Sequence, residues 1–106
     1  MSAVPHCAVA GDVSGRPVER TCAHLGQVRA VEPATPGACE DCLREGTQWV
    51  HLRLCLECGH VGCCDNSPRR HATAHFRHSS HPIMRSEEPG EDWAWCYPDE
   101  LFLLLA

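Results

Sequence analysis

The chain contains no lysine: every fixed positive charge among its 106 residues is an arginine. At a formal charge of -5, it lacks the clustered positive charge that a phosphate backbone requires. A nucleic-acid partner is therefore not expected. Arg69, Arg70 and Arg77 fall near one another, but histidine and acidic residues are expected to interrupt any basic stripe. No segment approaches the roughly 20 apolar residues of a membrane helix. The first ten residues also lack the basic region and apolar run of a secretory signal. These absences point away from a membrane and toward a cytoplasmic location.

What the chain has in excess is cysteine and histidine, nine and eight residues respectively. A single domain of this length buries a modest core and often needs further stabilisation. The odd cysteine count and the missing signal favour a reducing compartment, where thiols bind metal rather than pair. A disulfide-rich secreted domain is the alternative.

Residues 1–19 carry Pro5, Gly11, Gly15 and Pro17 without periodicity and read as a flexible tail. Residues 20–106 read as one domain. Within it, 32–38 is a loop by composition, and Gln48–Leu54 is the best strand, with Trp49, Val50, Leu52 and Leu54 apolar. Cys55-Leu-Glu-Cys-Gly makes a tight turn in which Gly59 suits a positive φ. Ser67-Pro68 reads as a helix start, with Ser67 as cap and Pro68 in the first turn; the helix would run to Arg77 or His78. Short strands are expected at Pro82–Arg85, Trp93–Tyr97 and Asp99–Leu105, with a polar turn over 87–92. Leu101–Leu105 is apolar on both faces, so it is either a central strand or a partner surface. No repeat is present beyond the recurring Cys-x-x-Cys.

Four features carry the chemistry. They are Cys22-Ala-His24; Cys39-Glu-Asp-Cys42; Cys55-Leu-Glu-Cys58 with Cys63; and His71, His75 and His81, joined later by Cys96. Zinc takes four ligands in a tetrahedron. A two-residue spacer lets both thiolates of one turn reach the same ion, and two such pairs are a strong signal. His71 and His75 are four apart and share a helix face. That spacing serves one zinc or two neighbouring zincs. Cys64 reads as a small buried residue or free thiol, Cys7 and His6 as tail residues, and His51, His60 and His78 as ordinary surface or turn residues.

The run Cys22-x-His24, Cys39-x-x-Cys42, Cys55-x-x-Cys58-x4-Cys63, His71-x3-His75-x5-His81-Pro82, ending in Trp95-Cys96-Tyr97, resembles the UBP-type zinc finger. That module is found in many ubiquitin-specific proteases. The resemblance covers about residues 20–105, and its ending is similar to stand-alone bacterial members. It implies an α+β fold: a small zinc-stabilised domain with a twisted antiparallel sheet flanked by one or two short helices. It also implies one zinc on Cys39, Cys42, Cys63 and His71, and a second on Cys55, Cys58, His75 and His81. A third would take Cys22, His24 and Cys96. In three-zinc members its fourth ligand is a cysteine at the position of Asp99; a carboxylate can serve there.

The family's activity is capture of the free C-terminal Gly-Gly of ubiquitin between aromatic walls, with an arginine on the terminal carboxylate. Trp95 and Tyr97 match the aromatic positions. The arginine position is Asp65, whose charge repels a carboxylate, and an aromatic position is Arg53. The expectation is a zinc-binding, non-catalytic recognition module for a peptide or protein partner, with Trp95, Tyr97, Arg53 and Asp65 at the ligand site. The alternatives are a purely structural or self-assembling zinc domain, with Leu103 as the residue to test, and, last, a hydrolase with an open third zinc.

Overall fold

Period-two alternation in the C-terminal third builds the centre of the sheet. The computed structural model describes residues 4–10 and 21–105. Six antiparallel strands, β1 (Cys7–Val9), β2 (Leu52–Cys55), β3 (Val61–Cys63), β4 (Ile83–Ser86), β5 (Trp93–Cys96) and β6 (Leu101–Leu105), lie in the order β1-β6-β5-β4-β2-β3. Successive strand side chains point to opposite faces. In β5, Ala94 and Cys96 are buried, while Trp93 and Trp95 face the other side. In β6, Leu101 and Leu103 are buried and Phe102 and Leu104 exposed. The register pairs Met84 with Trp95 and Trp95 with Phe102, so one face is aromatic.

The opposite face carries the core. Leu52, Leu54, Ile83, Ala94 and Leu103 pack there with Val28, and Leu25 and Val31 close over them. The covering segment is tied down by backbone bonds from Arg29 N to Leu56 O (2.8 Å) and Ala34 N to Gly59 O (2.9 Å). Gly59 has φ 84°, and a Cβ there would stand 2.4 Å from Glu32 O, so glycine is required on both counts.

Two short helices flank the sheet. Helix α1 (Glu40–Glu45) has Glu40 and Asp41 in its first turn, and its Cys39 cap accepts a hydrogen bond from Cys42 N. Gly46 ends it in the left-handed conformation at φ 72°. Helix α2 (His71–Ser79) packs on β3 and β2. Gly62 allows this approach, since a Cβ there would lie 2.6 Å from Ala72 N.

The α+β class and the antiparallel sheet with two short helices agree with the sequence reading, but several details differ. Cys7–Val9 is an edge strand paired with Leu103–Leu105, so the reading of 1–19 as a flexible tail fails for Cys7–Val9; residues 1–3 and 11–20 lie outside the described residues. The strand expected over Gln48–Leu54 is Leu52–Cys55. Ser67 is not a helix cap: its hydroxyl accepts from Val50 N at 2.9 Å, and α2 begins four residues later, after Arg70. Leu101–Leu105 proves to be both a central strand and, at Phe102 and Leu104, an exposed surface. Leu103 is fully buried; it tests the core rather than self-assembly.

Candidate metal centres and binding cavity

Three quartets of side chains place one donor atom each within 4.8 Å of one another: Cys39, Cys42, Cys63 and His71; Cys55, Cys58, His75 and His81; Cys22, His24, Cys96 and Asp99. The fold explains each convergence. In the first, Cys39 caps α1, Cys42 sits in its first turn, Cys63 ends β3 and His71 opens α2. His71 Nδ1 lies 3.4 Å from Cys39 Sγ, 3.3 Å from Cys42 Sγ and 3.4 Å from Cys63 Sγ. Cys42 Sγ and Cys63 Sγ are 3.9 Å apart. With zinc bonds of about 2.3 Å to sulfur and about 2.0 Å to nitrogen, tetrahedral edges are about 3.8 Å between sulfurs and about 3.5 Å between sulfur and nitrogen. The donor set therefore fits zinc. His71 Nε2 meets Glu45 Oε1 at 3.1 Å. A carboxylate there holds the proton on Nε2 and leaves Nδ1 as the donor.

In the second quartet the tight turn after β2 presents Cys55 and Cys58. Helix α2 brings His75 one turn beyond His71, and His81 follows the helix. Cys55 Sγ stands 3.5 Å from His81 Nδ1, and Cys58 Sγ 3.3 Å from His75 Nε2. His81 Nε2 faces Glu57 Oε2 at 3.3 Å. Burial, with the neighbouring His60 and His81, pushes His75 down to about 4, so its imidazole is neutral, as a metal ligand must be.

The third quartet joins the loop before Leu25 to the end of β5. Cys96 Sγ lies 3.5 Å from His24 Nδ1 and 3.5 Å from Asp99 Oδ2. His24 Nδ1 and Asp99 Oδ2 are 2.9 Å apart, tighter than the roughly 3.3 Å edge expected between two zinc ligands of about 2.0 Å. The same carboxylate oxygen accepts from Ala23 N at 3.0 Å. These bonds hold Asp99 down at about 2.

Burial pushes the Cys39 thiol up to about 12, Cys55 to about 11 and Cys96 to about 12. Thiolates in such positions need a compensating cation, which a bound metal supplies. None of the nine cysteines is in a disulfide.

His60, read as an ordinary surface or turn residue, is neither. Its ring stacks on His75 at 4.1 Å, and its Nε2 meets Asp41 Oδ2 at 2.6 Å. Asp41 lies between Cys39 and Cys42, so this contact braces the first two quartets against each other. Asp41, Glu45 and Glu57 were also missed. Their one sequence signal is acidity within or just after each Cys-x-x-Cys turn.

The aromatic face forms a cavity of about 260 Å³ against the start of α2, lined by Arg53, Asp65, Trp93, Trp95, Tyr97 and Phe102 among others. All four expected ligand-site residues, Trp95, Tyr97, Arg53 and Asp65, thus line one space. Tyr97 stacks on Phe76 at 4.5 Å, and Phe102 meets Trp93 and Trp95 edge-on at 5.6 Å and 4.8 Å. Arg53 lies over Trp93, 4.7 Å from the ring centre, and donates to Leu52 O at 3.0 Å and Ser86 Oγ at 3.4 Å. Asp65 Oδ1 accepts from the Thr73 hydroxyl at 2.6 Å.

Residues 39–104 match the family described as the Zn-finger in ubiquitin-hydrolases and other protein. The chain is 33% identical over 81 residues to ubiquitin carboxyl-terminal hydrolase 44 of Ailuropoda melanoleuca; the match covers 72% of this chain and 10% of that protein. This chain therefore spans about a tenth of that relative's length. The solution structure of protein RPA1320 from Rhodopseudomonas palustris is 50% identical, with a TM-score of 0.73, covering 83% of this chain and 85% of that one. With both Cys-x-x-Cys quartets inside the matched span, the chain belongs to the UBP-type zinc-finger family.

Proposed function

We propose that the chain is a non-catalytic recognition module whose zinc ions hold an aromatic cavity in place for a peptide segment of a protein partner. One zinc would sit on Cys39, Cys42, Cys63 and His71, a second on Cys55, Cys58, His75 and His81, and a third on Cys22, His24, Cys96 and Asp99. Four protein donors per ion leave no open position for an activated water. That supports a structural rather than hydrolytic role.

The observation that carries the reading is the meeting of Arg53, Asp65, Trp95 and Tyr97 around one cavity on an otherwise uncovered sheet face. Its volume, about 260 Å³, is near the small end of ligand pockets, roughly 300 Å³ and above. That suits a short anchor rather than a cofactor. Asp65 disfavours a terminal carboxylate, so capture of a ubiquitin C-terminus is not expected.

The test is a titration of zinc-loaded protein with capped peptides bearing a leucine or phenylalanine, followed by indole NMR resonances. Trp93 and Trp95 signals should move, and Trp95→Ala should abolish the response with the zinc count unchanged. A free Gly-Gly carboxylate should bring no gain over the amide. Indole signals indifferent to every peptide would sink the proposal.

A second reading rests on Phe102 and Leu104, which are 56% and 55% exposed on the same face of β6. They would suit self-association. Sedimentation of the Leu104→Glu variant beside the parent checks this: a dimer lost on substitution supports it, and a monomer in both excludes it.

A further inference from the structure

The charge along the chain is sorted. All fourteen Asp and Glu residues lie outside 66–86, while that stretch holds four of the nine Arg and four of the eight His. The interruption of the basic stripe by acidic residues, expected above, therefore does not occur between Arg69 and Arg77. The structure gathers Arg69, Arg70, Arg77 and His78 around a second depression, of about 510 Å³, on the outer side of α2. It shares Asp65 and Thr73 with the aromatic cavity, so the two spaces are neighbours across that pair.

Arg70 and Arg77 are seven residues apart, two helical turns on one face, with the small exposed Ala74 between them. Neither makes an ion pair among the described residues; Arg69 is held by Glu45 at 3.2 Å. Arg70 also sits in the left-handed region at φ 48°, where glycine or asparagine is the cheaper residue. Helix entry therefore gives no reason for an arginine at that position.

Resting on the cavity reading, we propose that the arginine groove takes an acidic segment of the same partner peptide. The anchor enters the aromatic cavity, the backbone passes Asp65, and carboxylates follow onto Arg70 and Arg77. Asp65 repels a carboxylate at the junction but accepts a backbone N–H. The two arginines are about 10 Å apart along the helix, seven residues at 1.5 Å. Three residues of polyproline-II chain at about 3.1 Å span nearly the same distance and return to the same face. The partner motif is thus an apolar residue, a short neutral spacer, and two acidic residues three apart. The arginines match a short acidic segment locally, while the net charge of -5 repels a long polyanion such as a nucleic acid.

The experiment uses the full zinc-loaded chain and the capped probe Leu-Ser-Gly-Glu-Ser-Ser-Glu-amide, with forms carrying Gln or Lys in place of both Glu. Binding is read by heteronuclear NMR and calorimetry at two salt concentrations. The Glu probe should bind about tenfold more tightly than the Gln probe, a difference of about 1.4 kcal/mol. The Lys probe should bind weakest, and the preference should shrink in high salt. In the variant Arg70→Asn with Arg77→Gln, both surface positions, Glu and Gln probes should bind alike with zinc content unchanged.

Equal affinity of the three probes for the parent, or no binding by any of them, overturns the proposal. A failed groove with a sound cavity would leave Trp93 and Trp95 indole shifts equal for Glu and Gln probes. A failed cavity would leave shifts confined to α2. An octathymidine oligonucleotide binding as tightly as the Glu probe would assign the groove to nucleic acid. A salt-sensitive dimer abolished by Arg77→Glu would assign it to a second copy. Either result overturns the peptide reading.

Discussion

The first and third donor quartets contain the same number of ligand atoms, but they are built differently. Cys39, Cys42, Cys63 and His71 are all buried, and their spacing matches the edges of a zinc tetrahedron. They tie α1, β3 and α2 together. In the third, His24 and Asp99 are 26% and 22% exposed, and their closest approach is a hydrogen-bonding distance. It ties one loop to the end of β5. The first lies inside the span matching the family, whereas Cys22 and His24 fall before it. The difference teaches that a quartet's position in the chain of contacts decides its structural weight. One sits where α1, β3 and α2 pack together; the other fastens a segment already held by Val28, Leu25 and two backbone bonds.

The largest break in this comparison should come from Cys39→Ala. Structural zinc contributes about 10–16 kcal/mol of apparent binding free energy, comparable to or above the whole stability of a small domain, about 5–15 kcal/mol. The variant should lose amide dispersion and far-UV signal. Cys64→Ala, which removes a buried thiol 3.5 Å from Ser67 Oγ, should cost about 1 kcal/mol. Equal melting of the two would refute the assignment of Cys39 as a ligand.

Next in size is Cys96→Ala. It should remove one zinc per chain by native mass spectrometry and lower the melting temperature while keeping the folded spectrum. Loss of all metal would show the quartets to be interdependent.

Asp99→Cys should sharpen the comparison in the other direction. It supplies the thiolate that three-zinc family members use, so the third ion should survive more chelator than in the parent. An unchanged release profile would mean Asp99 is not a ligand.

The smallest effect concerns acid. While the third quartet holds no ion, the His24 Nδ1–Asp99 hydrogen bond and the one from Ala23 N hold Asp99 at about 2, below its ordinary 3.8. A depressed carboxyl stabilises the fold fully above its unfolded value and loses that contribution as pH falls through the folded one. The contribution of Asp99 should therefore fade between about pH 4 and pH 2, and Asp99→Asn should flatten stability in that window. Parallel profiles for parent and variant would count against the His24–Asp99 pair.

Much of this was legible in the sequence because metal ligation is a spacing signal. Two Cys-x-x-Cys turns, a cysteine and two histidines four apart limit the fold severely, and the resemblance they carry divided His71 and His75 between two ions. The geometry brought the same two groups together. The β5 and β6 alternation was equally readable. What failed did so for identifiable reasons. Cys7–Val9 gives no local strand signal beyond three residues, and its pairing with Leu103–Leu105 joins positions far apart in sequence. Ser67-Pro68 carries good capping chemistry, but tertiary contact with Val50 claims the Ser67 hydroxyl. The short α1 was hidden because its cap is a cysteine. His60 was misread because nothing local says that it will stack on His75.

By itself, the sequence determined the donor inventory and the family, and it singled out Trp95, Tyr97, Arg53 and Asp65, though not Trp93 and Phe102, which line the same cavity. Ligand identity and turn spacing are local, covalent properties. Tertiary structure alone decided which side of the sheet stays uncovered, that His60 and Asp41 brace the first two quartets, and that Arg69, Arg70 and Arg77 gather around one depression beside the cavity rather than scatter. Those outcomes depend on distances between segments remote in the chain, which packing of α2 over Gly62 and closure of the loop over Gly59 set.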